Sequence, residues 1–295
     1  MSNGMESMRR KISSAADLQS VVRTMKAMAA ANIGQYEKAV DALEDYYQTV
    51  QEGLAACFRP GVDPDAIVPS KLDPSSGAIG AVIFGSDQGM VGQFNDALVL
   101  FALDALKQLP GNKTVWAVGE RVEARLQASS LTLGSRFALP SSIGAITPLI
   151  GQILIEMAEQ QARGAITQVY LLYNRPESGS VYTPVIQRLL PLDALWHREL
   201  ATRKWPSNNL PEVINGRAPT LLALVHEYLF VSLFRACAES LASENASRLV
   251  AMQRAEKNID ELLQQLNNNF HRERQNGIDE ELFDLVSGFE ALSDV

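Results

Sequence analysis

The sequence predicts a mixed α+β and α/β fold. The N- and C-terminal helices form a long antiparallel coiled coil, and a small central α/β domain carries a mainly parallel sheet. Three observations predict it. All 13 prolines lie between Pro60 and Pro219, and since proline breaks helix interiors, both ends are open to long uninterrupted helices. Both ends repeat apolar residues at 4,3 spacing. The middle alternates strand-like and helix-like runs. The expected boundaries are 1–59 for the first helix, 70–200 for the central domain and 212–295 for the last helix, with 1–59 and 212–295 forming one shaft.

The N-terminal helix rests on Met8, Ile12, Ala15, Val22, Ala29, Ile33, Tyr36, Val40, Leu43, Tyr47, Val50, Leu54 and Cys57. These fall on one coiled-coil register, interrupted by the polar Gln19 and Lys26. A helix of about 50 residues is about 75 Å long at about 1.5 Å per residue. In the centre, Ala78–Phe84 reads as a buried strand ending in a glycine turn, and Asn95–Leu109 as an amphipathic helix closed by Pro110-Gly111. Thr114–Val118 is a second strand, Glu120–Ala128 and Ile146–Arg163 are helices, and Ile166–Tyr173 is a third strand. Val181–Leu190 is an edge strand, because Pro184 cannot donate to a ladder. Strands alternating with helices imply a helix-covered, mostly parallel sheet. Trp205–Pro219 reads as a connecting loop.

The C-terminal helix opens at Leu221–Leu241 with apolar residues on more than one side, which predicts packing against two neighbours. Met252, Ala255, Ile259, Leu262 and Leu266 continue the seam. After a polar stretch, Ile278, Leu282, Leu285, Phe289 and Leu292 restart it in a shifted register, as expected where the partner or supercoil changes.

Hydrophobic residues at 46% and charged residues at 20% indicate a folded chain. A net charge of −8 argues against a nucleic-acid partner. The run Arg9-Arg10-Lys11 reads as a solvated helix face. No stretch of about 18 apolar residues is evident, so no membrane span is expected. The start has no apolar run after its basic pair, so a cytosolic protein is expected. Cys57 and Cys237 read as small buried hydrophobes.

Gly85-Ser-Asp-Gln-Gly-Met-Val-Gly-Gln93, between a strand and a helix, has the context of a phosphate cradle. Its glycine spacing matches neither the dinucleotide fingerprint nor the P-loop, so a tight turn with close strand–helix approach is the better reading. His197, His226 and His271 are far apart, and none sits at metal-ligand spacing from a partner. Glu44-Asp45 and Glu280-Glu281 are adjacent on helices and face different ways, so neither makes an acid–base couple. No catalytic, cofactor or metal site is expected. The residues alone carry the reading as far as a structural or interaction protein with a coiled-coil arm.

One set of residues is more specific. Ser240-Leu-Ala-Ser-Glu-Asn-Ala-Ser-Arg-Leu-Val-Ala-Met252, with Asn258, Arg274-Gln275, Ile278, Glu281-Leu282 and Val286-Ser-Gly288, closely resembles the signature of F-type ATP synthase gamma subunits. Met8-Arg-Arg-Lys-Ile12 and Val22-Arg-Thr-Met-Lys-Ala-Met-Ala-Ala30 resemble that family's opening helix, and Ser86-Asp-Gln-Gly-Met-Val-Gly92 its turn after the first strand.

The resemblance implies a non-catalytic rotor shaft that couples proton or sodium flow to ATP synthesis or hydrolysis. It implies catalytic and non-catalytic head subunits, a small epsilon-type foot subunit and a membrane ring of ion-carrying subunits as partners. It also implies a peripheral position on the cytoplasmic face of the bacterial plasma membrane. Shaft contacts carry over to Met25, Arg248, Gln275 and Glu281, with Lys26 and Asp279 in the same contact set. The chain departs from the pattern at Gln88, Val91, Lys26, Asn32 and Asp279, which points to a divergent branch, the alternate sodium-linked bacterial type being a candidate. The rival expectation is a free coiled-coil scaffold or regulator with an α/β module.

Overall fold

A computed structural model describes residues 2–57, 78–129, 131–177, 180–192 and 216–293, together with 196, 200, 209 and 212–214. The elements in order are α1 (Ser2–Cys57), β1 (Ile79–Phe84), α2 (Phe94–Lys107), β2 (Lys113–Val118), α3 (Glu120–Gln127), β3 (Thr132–Phe137), α4 (Ile146–Ala162), β4 (Gln168–Glu177), β5 (Ser180–Leu190) and α5 (Arg217–Ser293). A 3-10 turn at Ile143–Ala145 leads into α4. The chain divides into two compact units, Met1–Ala29 with Arg248–Val295, and Ala30–Ser247. Both α1 and α5 contribute to each.

The Ala30–Ser247 unit is built on a five-stranded sheet of order β3-β2-β1-β4-β5. β1 runs parallel to β2 and β4, β2 parallel to β3, and only β5 is antiparallel, to β4. β1 is buried at all six positions because both sheet faces are covered. Its side chains alternate between two cores. Ile79, Ala81 and Ile83 pack with Leu98, Ala102 and Leu106 of α2 and with Val122 and Leu126 of α3. Val82 and Phe84 pack with Ile146, Ile150 and Ile153 of α4, with Leu233, Cys237 and Leu241 of α5, and with Tyr36 of α1. Each fully buried Leu, Ile or Phe side chain contributes about 1.5–3 kcal/mol.

β3 is an edge strand that the sequence did not predict. Thr132, Gly134 and Arg136 are exposed on it, and only Phe137 is buried. Gly134 lies over Trp116, where a Cβ would come within 2.8 Å of the indole. β4 extends past the expected Tyr173 to Glu177, and Pro184 sits on the edge strand β5 opposite Asn174. The expected loop to Pro219 is shorter than read, because α5 begins at Arg217. Pro219 therefore lies in the first helical turn, where no N–H is required of it. Residues 205–208, 210–211 and 215 of that loop, and His197, lie outside the described residues.

In the same unit, Leu221 and Tyr228 of α5 pack with Val50, Leu54 and Cys57 of α1. The first part of α5 thus has two neighbours, α1 and the sheet, as its apolar breadth predicted. One α5 window also meets the length and composition of a membrane-crossing helix. That corrects the expectation that no such stretch exists. Half of the window is buried within the protein, so a buried core helix accounts for its composition.

In the other unit, α1 and α5 form an antiparallel pair. Val22, Met252 and Ile259 are its buried centre, with Met25, Ala251, Ala255 and Leu263 against them. Rungs fix the direction. Gln19 donates to Asp260, Arg23 Nε reaches Glu256 Oε1 at 2.8 Å, and the Arg9 guanidinium lies 5.4 Å from the Phe270 ring centroid. Residue numbers rise on one helix as they fall on the other. The two polar interruptions are explained here, since Gln19 and Lys26 leave the apolar seam for cross-helix bonds to Asp260 and Glu256. Leu262 is 46% exposed and its neighbour Leu263 joins the seam, a one-residue correction to the expected register.

Candidate functional site

The 85–93 turn is closed by its own side chains. The Ser86 N–H donates to Asn95 Oδ1 at 3.0 Å, Asn95 Nδ2 donates to Ser86 Oγ at 2.8 Å, and the Ser86 hydroxyl donates to Gln88 O at 3.0 Å. Asp87 Oδ1 accepts the Glu120 N–H at 2.9 Å, so this loop caps α3. A Cβ at Gly85 would lie 2.3 Å from Val122 Cβ, which is the close strand–helix approach read from the glycines. Two serines of α5 complete the brace. Ser240 donates to Phe84 O at 3.0 Å and Ser247 to Val91 O at 2.6 Å. They are seven residues apart, so they share one helix face.

An ion-pair chain centred on the buried Glu239 ties three elements of the same unit. Glu239, 5% exposed, accepts Arg175 Nε at 3.0 Å and Arg235 Nε at 2.7 Å. Arg235 also reaches Glu44 of α1 at 2.9 Å, and Arg175 Nη2 donates to the Tyr173 hydroxyl at 2.7 Å. Burial first, and then the Glu239 charge, push the Tyr173 phenol up to about 12. Burial likewise raises the Cys237 thiol, which has no exposed surface. Among the described residues, no group of three His, Cys, Asp or Glu side chains is placed to hold a metal ion.

The six expected contact residues lie in the helix-pair unit but not in one cluster. Met25 is half-buried against Val22, Met252 and Ile259. Lys26 Nζ reaches Glu256 Oε2 at 2.5 Å. Hydrogen bonds from Lys26 first, and then from Arg23, hold the Glu256 carboxyl below its ordinary range. Arg248 is half-buried, with its Nε atom buried. Gln275, Asp279 and Glu281 are exposed on α5. From position 248 to 281 the helix rises about 50 Å at about 1.5 Å per residue. An arrangement of that length suits an extended contact surface and no focal chemistry.

Sequence reasoning missed a second apolar stripe. Leu18, Val21 and Met28 are 54%, 55% and 61% exposed on α1, spaced with Met25 at 3,4,3 beside the main seam. The spacing was visible in the sequence, but the stronger seam drew the register. At the far end of α5, Ile278, Leu282, Phe283, Leu285 and Val286 are 46–74% exposed.

A family model described as ATP synthase matches residues 4–292. The ATP synthase gamma chain of Salinibacter ruber (strain DSM 13855 / M31) is 28% identical over 304 residues, covering 97% of this chain and 97% of that protein. That of Glaesserella parasuis serovar 5 (strain SH0165) is 25% identical over 295 residues, covering 98% and 99%. Among solved structures, the rotor of Euglena gracilis mitochondrial ATP synthase in rotational state 1 matches with a TM-score of 0.61 at 18% identity. It covers 94% of this chain and 100% of the matched one. A chain of the same enzyme in rotational state 3 gives 0.65 at 19% identity, covering 99% and 95%. These likenesses bear out the fold of long terminal helices around a mostly parallel sheet. With nearly its whole length matched by the family model, the chain belongs to the ATP synthase gamma-chain family, a non-catalytic subunit of that complex.

Proposed function

We propose that the chain is the rotating central shaft that couples transmembrane ion flow to nucleotide chemistry in neighbouring catalytic subunits. The observation that carries this reading is the far end of α5. Its residues there are apolar and exposed. A helix that presents Ile278, Leu282, Phe283, Leu285 and Val286 to solvent is built to be surrounded.

In this reading, residues 1–59 and 212–295 act as one shaft within a ring of catalytic and non-catalytic head subunits. The central α/β domain sits with an epsilon-type foot subunit on a membrane ring, at the cytoplasmic face of a bacterial plasma membrane. The helix pair offers different side chains in different directions. Each orientation then makes different contacts with each catalytic subunit, and the difference in contact free energy becomes a difference in nucleotide affinity. Exposed Gln275, Asp279 and Glu281 are suited to touch the ring directly. Arg248 adds a guanidinium able to fork to a carboxylate. Met25 and Lys26 act partly through the pair they hold together. The low identity to the relatives fits a divergent branch, and a sodium-linked membrane ring is consistent with it.

The test is co-expression with the catalytic and non-catalytic subunits of the same source. The shaft reading expects co-purification at one copy per head and a higher ATPase turnover than the head has without the chain. A chain that never enters the complex and leaves turnover unchanged would return the free-scaffold reading to first place.

A further inference from the structure

Where α1, β4, β5 and α5 meet in the α/β unit, a cavity of about 270 Å³ is lined by Tyr47, Arg175, Gln187, Ser232 and Arg235. Two guanidiniums reach it from different elements. Each is held by its Nε on the same buried carboxylate, Glu239, which leaves further N–H donors on the Nη atoms. Tyr173 and Tyr47 lie under them, with ring centroids 5.6 and 5.9 Å from the Arg175 and Arg235 carbons. Both arginines are thus aimed before any ligand arrives.

Ser232 supplies an independent sign. It is 3% exposed, and its hydroxyl has no hydrogen-bond partner among the described residues. A buried hydroxyl is costly unless it is satisfied. Here it lines the same cavity as the two guanidiniums.

We propose that this cavity is a binding site for a small tetrahedral oxyanion of the phosphate class. The donors come from Ser232 and Arg235 on α5, Arg175 on β4 and the Gln187 amide on β5. Donors converging from several elements suit a tetrahedral ligand better than a planar carboxylate, which one guanidinium fork would satisfy. The volume falls below the roughly 300–1,000 Å³ of pockets that take drug-sized ligands, so one phosphate-sized group fits the space.

Charge balance names the competitor. Glu239 is committed to both arginines, whereas the Glu44 side chain is 44% exposed and, among the described residues, holds Arg235 at 2.9 Å. An arriving oxyanion takes over Arg235 Nη1 and releases Glu44 to solvent. The site neither rests on the shaft reading nor supports it.

The test uses the purified full chain, titrated with sodium phosphate against sodium chloride at matched ionic strength. Melting temperature and phosphorus NMR line width are the readouts. The proposal expects a saturable rise in melting temperature. Ser232→Ala weakens phosphate binding about tenfold or more, the effect of one hydrogen bond to a charged group, without lowering the melting temperature in chloride. Glu44→Gln tightens binding, because the competing carboxylate is gone. A rise that does not saturate overturns the proposal. So does phosphate binding that is unchanged in both Ser232→Ala and Arg175→Gln, which would put the anion elsewhere on the chain.

Discussion

Gly85 has no room for a methyl group. Its Cβ would sit 2.3 Å from Val122 Cβ and 2.9 Å from Asn95 Oδ1, and Val122 is fully buried. Relief requires moving α3 away from β1, so Gly85→Ala is expected to destabilise the chain by about 2–3 kcal/mol in a denaturant titration. Gly151 is the contrast. It lies inside α4 with nothing within 4 Å of an added Cβ. Gly151→Ala is expected to stabilise by about 0.5–1 kcal/mol through helix propensity. Shifts of the same sign at both positions would refute the close-packing account of the turn. The cysteines are governed by burial as well. Cys237 is fully buried with its thiol raised, and Cys57 is 2% exposed with its thiol raised by the same cause. Little thiolate forms in the native state, so alkylation by iodoacetamide is expected to track unfolding. Rapid labelling of the native chain would show that these sites open.

The helix pair depends on a thin seam and on its rungs. In the Met1–Ala29 part of α1 the buried seam positions Ala15, Val22 and Ala29 recur every seven residues, but two are alanines and bury little area. Glu256 bridges Arg23 and Lys26 across the pair. Its folded carboxyl titrates below the ordinary 4.5, so its contribution is present above that value and lost as pH falls through the depressed one. Glu256→Gln is therefore expected to lower the helix melting temperature near neutral pH, followed by circular dichroism. The gap to wild type should close as the pH drops below about 4.5. A gap that persists in acid would mean the substitution acts by something other than the charge.

The α1 seam was legible because one apolar face repeats without interruption by proline, and every position in its register is buried or half-buried. β3 was not legible. A solvent-facing edge strand needs few apolar residues, and Gly134 is chosen by the bulk of Trp116 across the sheet. The swap of Leu262 for Leu263 has a similar cause, since adjacent leucines leave the register to the partner helix. Of the expected contact residues, the sequence pointed to Met25, Arg248, Gln275 and Glu281 through the family resemblance, whereas Lys26 and Asp279 depart from its pattern. It could not tell the exposed Gln275 from Lys26, which is engaged with Glu256, because that distinction is made across the pair.

For the whole molecule, the decisive region is the apolar end of α5. Leu282 and Phe283 are 53% and 74% exposed, so the chain gains little stability from burying them. Replacing both with aspartate is expected to change the stability of the isolated chain by less than about 0.5 kcal/mol, as for exposed positions generally. The same substitution should weaken assembly with the head subunits, because two charges would be buried without partners wherever the ring encloses the helix. Two measurements separate these effects: thermal unfolding of the chain alone, and the fraction of the chain retained with the head on gel filtration. Unchanged stability with lost retention places the tip in a partner surface, and a large loss of intrinsic stability would instead show that the tip packs within its own fold. Unchanged behaviour in both assays would remove the tip from the contact surface, and the observation that carries the shaft reading would go with it.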